Sequence, residues 1–222
     1  MKSVSFILLF LLLYFKSNCQ FSNYAFGDVS LQELQMNECL IEPAAPAMLL
    51  GEKCEIILDY QAPFHSVRIT RRIKVLTSEG LSYGNFELEY LSSLSEISFF
   101  RASVFNLEGN EIAEEKVKAK DAIITQVDKY KSKYIVVLPN VKVGSVIDIY
   151  YLQKNSNMIP IQPWYFQSEI PCGWSEYETK IQKKANYSFY YTDYLPFAIN
   201  SIKTPLTDIK KKGGYLINKF AV

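Results

Sequence analysis

From Glu55 onward, apolar and polar residues alternate on a period of about two, in short runs broken by turn residues. No other feature constrains the fold as strongly. A strand sends successive side chains to opposite faces, so strict alternation marks a strand with one buried face. The run Ser82 to Tyr90 is the clearest case, with Phe86, Leu88 and Tyr90 on one face and Glu87 and Glu89 on the other. Comparable runs cover 55–61, 67–76, 97–107, 112–117, 134–138, 145–153, 164–170, 176–181 and 187–192. Glu108-Gly109-Asn110 predicts a hairpin between two of them. Pro139-Asn140 followed by Val143-Gly144 predicts a turn between two more, with Gly144 free to adopt a positive φ.

Helix signals are confined to one place. Ser30-Leu31-Gln32-Glu33 fits a capping box, in which the serine and glutamate side chains satisfy free amides at a helix start. Pro43 and Pro46 keep that helix short. No sustained period of 3.6, GxGxxG, phosphate loop or internal repeat occurs elsewhere. The expected fold is all-β, a β-sandwich of antiparallel strands with one short N-terminal helix.

The N-terminus reads as an export signal. Met1-Lys2 is a positive start, and Phe6 to Phe15 is a continuous apolar run. Such a run suits a signal peptide and falls short of the roughly 20 apolar residues that span a bilayer. Ser17 and Cys19 precede a cleavage point after Cys19, so no membrane span is expected in the mature chain. Lipidation at Cys19 is disfavoured by Lys16, Ser17 and Asn18, which replace the small or apolar residues that signal needs. The expected location is the periplasm or the exterior. Residues 20–222 then carry 22 Lys+Arg, the chain's 24 less Lys2 and Lys16, against 23 Asp+Glu. A net charge of −1 gives no electrostatic footprint for nucleic acid. Arg71-Arg72 and Lys210-Lys211-Lys212 are too short to change that.

Few residues suggest chemistry. Cys172-Gly173-Trp174 resembles the surroundings of a nucleophilic thiol, but such a thiol needs a histidine base and an orienting third group. The sole histidine is His65, and Cys172 sits behind Pro171 between two expected strands rather than at a helix start. Cys39, Cys54 and Cys172 are read as small buried apolar residues, with a Cys39–Cys54 disulfide, which the export route permits, as the less favoured alternative. The cysteines and His65 lack zinc-type spacing, and Asp121 and Asp128 do not form a calcium loop. Glu87 and Glu89 read as solvated carboxylates. The 16 Tyr, 14 Phe and 2 Trp suit strands and a sandwich core. Exposed aromatics stacking on sugar rings are the alternative use.

Several motifs in order carry a resemblance. They are Pro43 to Leu50, Arg71-Arg72-Ile73-Lys74-Val75-Leu76 with Glu79-Gly80, Ala102 to Gly109, and Asn140 to Asp148. Trp164-Tyr165-Phe166-Gln167, Ile170-Pro171 and Ser175-Glu176-Tyr177 follow. Over roughly residues 28–200 the chain resembles a bacterial exported domain of unknown function, found ahead of transglutaminase-like cores, especially in Bacteroidetes. The resemblance implies a β-sandwich and places Cys172 in the accessory domain, not in an enzyme core. It supplies no catalytic, metal or cofactor residue.

The chain is thus expected to comprise a signal peptide (1–19), an N-terminal segment with the short helix (20–54), a β-sandwich accessory domain (55–203) and a divergent C-terminal tail or truncation (204–222). Asn140, Gly144, Trp164, Phe166, Gln167, Pro171 and Trp174 are the candidate interaction or fold-signature residues. The expected function is non-catalytic, with no cofactor and with a protein partner, such as a transglutaminase-like core. A carbohydrate-binding module acting on envelope polysaccharide is the alternative.

Overall fold

A computed structural model describes residues 25–58, 62, 64–156, 159–182, 190, 196–203 and 215–222. The expected signal peptide with Cys19, most of the expected strand 187–192, and Lys210 to Lys212 lie outside the described residues. Helix α1 (Leu31–Gln35) starts at the capping box, with both reciprocal Ser30–Glu33 bonds formed. Eleven strands follow among the described residues: β1 (Ala47–Leu58), β2 (Phe64–Val75), β3 (Asn85–Leu91), β4 (Ser95–Glu108), β5 (Glu111–Lys118), β6 (Ile123–Gln126), β7 (Lys131–Val137), β8 (Val146–Ser156), β9 (Ser175–Gln182), β10 (Ile199–Lys203) and β11 (Tyr215–Ala221).

The strands form two sheets. One has eight strands in the order β10-β11-β9-β1-β2-β8-β4-β5, and the other has three, β3-β7-β6. All pairings are antiparallel except β1 with β9. The predicted alternation is visible in the burial: Phe100, Ala102 and Val104 on β4 and Ile147, Ile149 and Tyr151 on β8 face inward. The small sheet returns Phe86, Tyr134 and Val136. Ring centroids of Phe86–Phe100, Phe86–Tyr151 and Phe100–Tyr134 lie 5.1, 5.4 and 5.5 Å apart, within the favourable aromatic range.

Three strands cannot cover eight. Over β1 and β9 the inner face is covered by the irregular segment 159–174, which supplies Ile161, Trp164 and Ile170 to the core. Residues 164–170, expected as a strand, have no ladder pairing. Pro163 and Pro171 bracket it and, like Pro160 upstream, have no amide donor with which to extend a ladder. The alternation persists without the strand: Trp164 and Phe166 are half-buried, Tyr165 and Gln167 exposed.

Strands also occur towards both ends of the described chain. β1 begins inside the segment set apart as N-terminal, and β11, inside the expected tail, pairs with β9 over its whole length. The turns are as expected, with φ of 65° at Gly109 and 92° at Gly144. Gly80 is required for a different reason. A Cβ there would lie 2.1 Å from the Pro46 carbonyl oxygen, which accepts the Leu76 and Thr77 amides.

Residues 25–45 cross the opposite, outer face of the large sheet. Val29 and Leu34 bury against Phe105 and Val146, and Cys39 and Ala45 against Leu76. Beneath them Arg72, Lys74 and Asp148 are 3%, 0% and 0% exposed. No helix among the described residues is long and apolar enough to cross a membrane.

Candidate functional site

The seven candidate residues separate into two places. Asn140 and Gly144 belong to the β7–β8 loop, which faces the β4–β5 hairpin across an open pocket of about 620 Å³. Val104 and Val141 supply its apolar lining, and Glu108, Glu114, Glu115 and Lys142 its charge. Asn140 adopts φ 53°, a left-handed conformation asparagine tolerates better than most residues. Its amide donates to Glu115, and its carbonyl accepts from the buried Asn106 amide at 3.1 Å. Asn106 in turn accepts from Ser145 Oγ at 2.6 Å, and Ser145 Oγ accepts the Lys142 amide at 2.9 Å. These bonds tie the loop to the hairpin. The pocket lining holds carboxylates but neither histidine nor cysteine, so it offers charge without a nucleophile and its base.

Trp164, Phe166, Gln167, Pro171 and Trp174 lie on the irregular segment over β1 and β9. The indole of Trp164 stacks on Tyr177 at 6.2 Å and 22° and donates to Ser175 Oγ at 3.1 Å. Ser175 donates to the buried Glu52 at 3.0 Å, and Arg71 Nε donates to the other Glu52 oxygen at 3.0 Å. Phe166 packs edge-on to Phe197 at 5.3 Å. The Pro171 carbonyl accepts the Leu49 amide at 2.9 Å, and the Trp174 carbonyl accepts the Glu52 amide at the same distance. Trp164 and Trp174 are both half-buried, and Gln167 is exposed. The arrangement fastens the segment to β1 and β9. Glu52 and Arg71, which anchor it, escaped the sequence reading because a single strand pattern does not reveal which charges meet across a sheet.

The thiols are far from the imidazole. Cys172 bridges to Leu49 on β1. His65 lies one step beyond the Ile57–Ser66 pair and therefore opposite Leu58. Nine residues of strand separate these levels, about 25–30 Å. A Cys172–His65 dyad is excluded by that spacing. His65 is 1% exposed, with Nε2 3.4 Å from the Asn155 amide. Burial pushes the Cys172 and Cys54 thiols up to about 12, the reverse of an activated nucleophile. Cys39, Cys54 and Cys172 are all free, so the Cys39–Cys54 bond is not formed.

The acidic residues considered for chemistry have structural roles. Lys133 bridges Glu87 at 3.0 Å and Glu89 at 3.7 Å. Asp121 accepts the Lys118 amide, and Asp128 accepts those of Tyr130 and Lys131, which hold its carboxyl below the usual range. Among the described residues no group of three or more His, Cys, Asp or Glu could hold a metal ion.

No curated protein matches the chain. Among solved structures, a candidate protease from Parabacteroides distasonis aligns with 80% of this chain at a TM-score of 0.56 and 10% identity. This chain spans 35% of that protein, about a third of its length. An M1 zinc metallopeptidase from Deinococcus radiodurans aligns with 81% of this chain and 40% of its own, at 11% identity and a TM-score of 0.38, a likeness too slight to carry an argument. A family model described as a domain of unknown function with solved structure, DUF3857, matches residues 65–215. That match begins later than the expected 28 and runs past the expected 200. The chain therefore belongs to the DUF3857 family of domains of unknown function.

Proposed function

We propose that this chain is a non-catalytic, exported accessory domain that acts by contact with another protein, beside a transglutaminase-like enzyme of the bacterial envelope. One observation carries the non-catalytic reading: Cys172 and His65 stand about 25–30 Å apart along β1. Neither the buried thiols nor the acidic pocket supplies a nucleophile with its base. The length of the Parabacteroides distasonis structure, of which this chain matches 35%, supports a domain that accompanies a larger remainder. The signal-like N-terminus supports export.

The test is to assay the purified chain for hydrolysis of a labelled casein and for transamidation of a labelled amine, alongside Cys172→Ala and His65→Ala. No turnover above buffer in any of the three is expected. Turnover that Cys172→Ala abolishes refutes the reading. The carbohydrate-binding alternative draws on exposed Tyr165 and Tyr190 (75% and 95% exposed), but both tryptophans are half-buried and Trp164 is stacked on Tyr177. Saturable retention on immobilised polysaccharide, lost in Tyr165→Ala, would favour it.

A further inference from the structure

The outer face of the large sheet is polar in a way that solvent exposure does not explain. Arg72 and Lys74 on β2 and Asp148 on β8 are almost wholly buried there, under a strap formed by residues 25–35. The strap is recognised chiefly through its backbone. Arg72 donates to the Ala25 carbonyl at 3.2 Å, to the Asp28 carbonyl at 2.7 Å and to Glu33 at 2.8 Å. Lys74 donates to the Leu34 carbonyl at 2.7 Å. Asp148 accepts the Gly27 amide at 2.8 Å while holding the guanidinium through both oxygens. Two side chains, Val29 and Leu34, fill an apolar strip made by Phe105 and Val146, and Phe26 lies under the Arg101 guanidinium at 4.0 Å.

This is the arrangement of a peptide in a groove. A turn and the short helix α1 supply carbonyls, a carboxylate and three apolar anchors, and the sheet supplies matched donors and a strip. Its hold is local. Only Val29 and Leu34 are buried among residues 25–35, so little apolar surface offsets the entropy of ordering eleven residues. Segments with that balance open without unfolding the rest of the molecule.

We propose that the β2–β8–β4 face is a docking groove for this segment, occupied in cis by the chain's own strap and open to the strap of a second copy when the first undocks. Every contact above is reproduced when the donor is another molecule, which is why exchange of an identical element costs little. Tethering gives the cis strap a high effective concentration, so loosening the strap while leaving the groove intact exposes the site. This inference does not depend on export or on an enzyme partner.

The experiment uses the full chain, the strap variant Leu34→Ser, and Val29→Ser as an independent second variant. Hydrogen exchange is followed by mass spectrometry, and binding of a labelled peptide of residues 25–36 by fluorescence anisotropy. Strap amides in both variants are expected to exchange at least tenfold faster than in the parent, with β2, β4 and β8 unchanged. Both variants are expected to bind the peptide saturably and at least tenfold more tightly than the parent does. The same peptide carrying Glu33→Lys is expected not to bind. Strap amides that open only with the strands, or vacated grooves that take no peptide, overturn the proposal.

Discussion

Replacing Arg72 with methionine tests the buried cluster most directly. The guanidinium is 3% exposed on its side chain, and Asp148 is 0% exposed. Arg72 Nε and Nη2 reach the two Asp148 oxygens at 2.7 and 2.8 Å. Methionine fills most of the volume but removes both donors from a carboxylate that burial keeps from water. Breaking one side of such a pair costs roughly 3–5 kcal/mol. For a chain of this size each kcal/mol moves Tm by about 2–4 °C, so a fall on the order of 10 °C is expected. The double variant Arg72→Met/Asp148→Leu removes the stranded charge and is expected to recover most of the loss. The strap carbonyls that also lose their donor lie near the surface, where water can replace it. Urea titration of the four proteins in the cycle measures the coupling, expected to exceed about 2 kcal/mol. A single-variant loss under about 1 kcal/mol, or a double variant as unstable as the sum of the singles, refutes the reasoning.

Further expectations concern pH and packing. Burial pushes the Glu55 carboxyl up, but Lys180 and Arg68 outweigh it and hold the group at about 2. Its folded value lies below its unfolded one, so its stabilisation is present above about pH 4.5 and lost as pH falls towards 2. Glu55→Gln should flatten that part of the Tm profile. Burial pulls the Lys74 amine down to about 8 from 10.5, so the folded state binds fewer protons than the unfolded between those values. Stability relative to Lys74→Met should therefore rise by roughly 2–3 kcal/mol from pH 8 to 10.5, and a flat difference by chemical denaturation would remove the claim. Gly80→Ala forces a Cβ to within 2.1 Å of the Pro46 carbonyl, and a loss of about 2 kcal/mol or more is expected from the backbone shift. An unchanged urea midpoint would show that the approach relaxes freely.

Much of the sandwich was legible because strand alternation and turn chemistry are local. Phe86 with Glu87, the Gly109 hairpin, the positive φ of Gly144 and the Ser30–Glu33 box each depend on neighbours a few residues away. Residues 164–170 misled because half-buried alternation in Trp164 and Phe166 looks the same in a strand and in a covering segment. Only ladder partners, which lie elsewhere in the chain, separate the two. Strand β11 was not legible for a related reason: its pairing with β9 depends on a strand far away in the chain.

What the sequence determined by itself was therefore the list of faces: which side chains share one side of each strand, and where the chain turns. Tertiary structure decided what covers each face. Alternation assigns Arg72 and Lys74 to the polar side of β2, and on that evidence they face water. The strap laid across them turns the same residues into a buried clasp, and the β1–β9 pairing carries Ser175 and Trp164 to Glu52. Coverage is a long-range property, and the energy of a charge depends on it more steeply than on anything the neighbouring sequence contains.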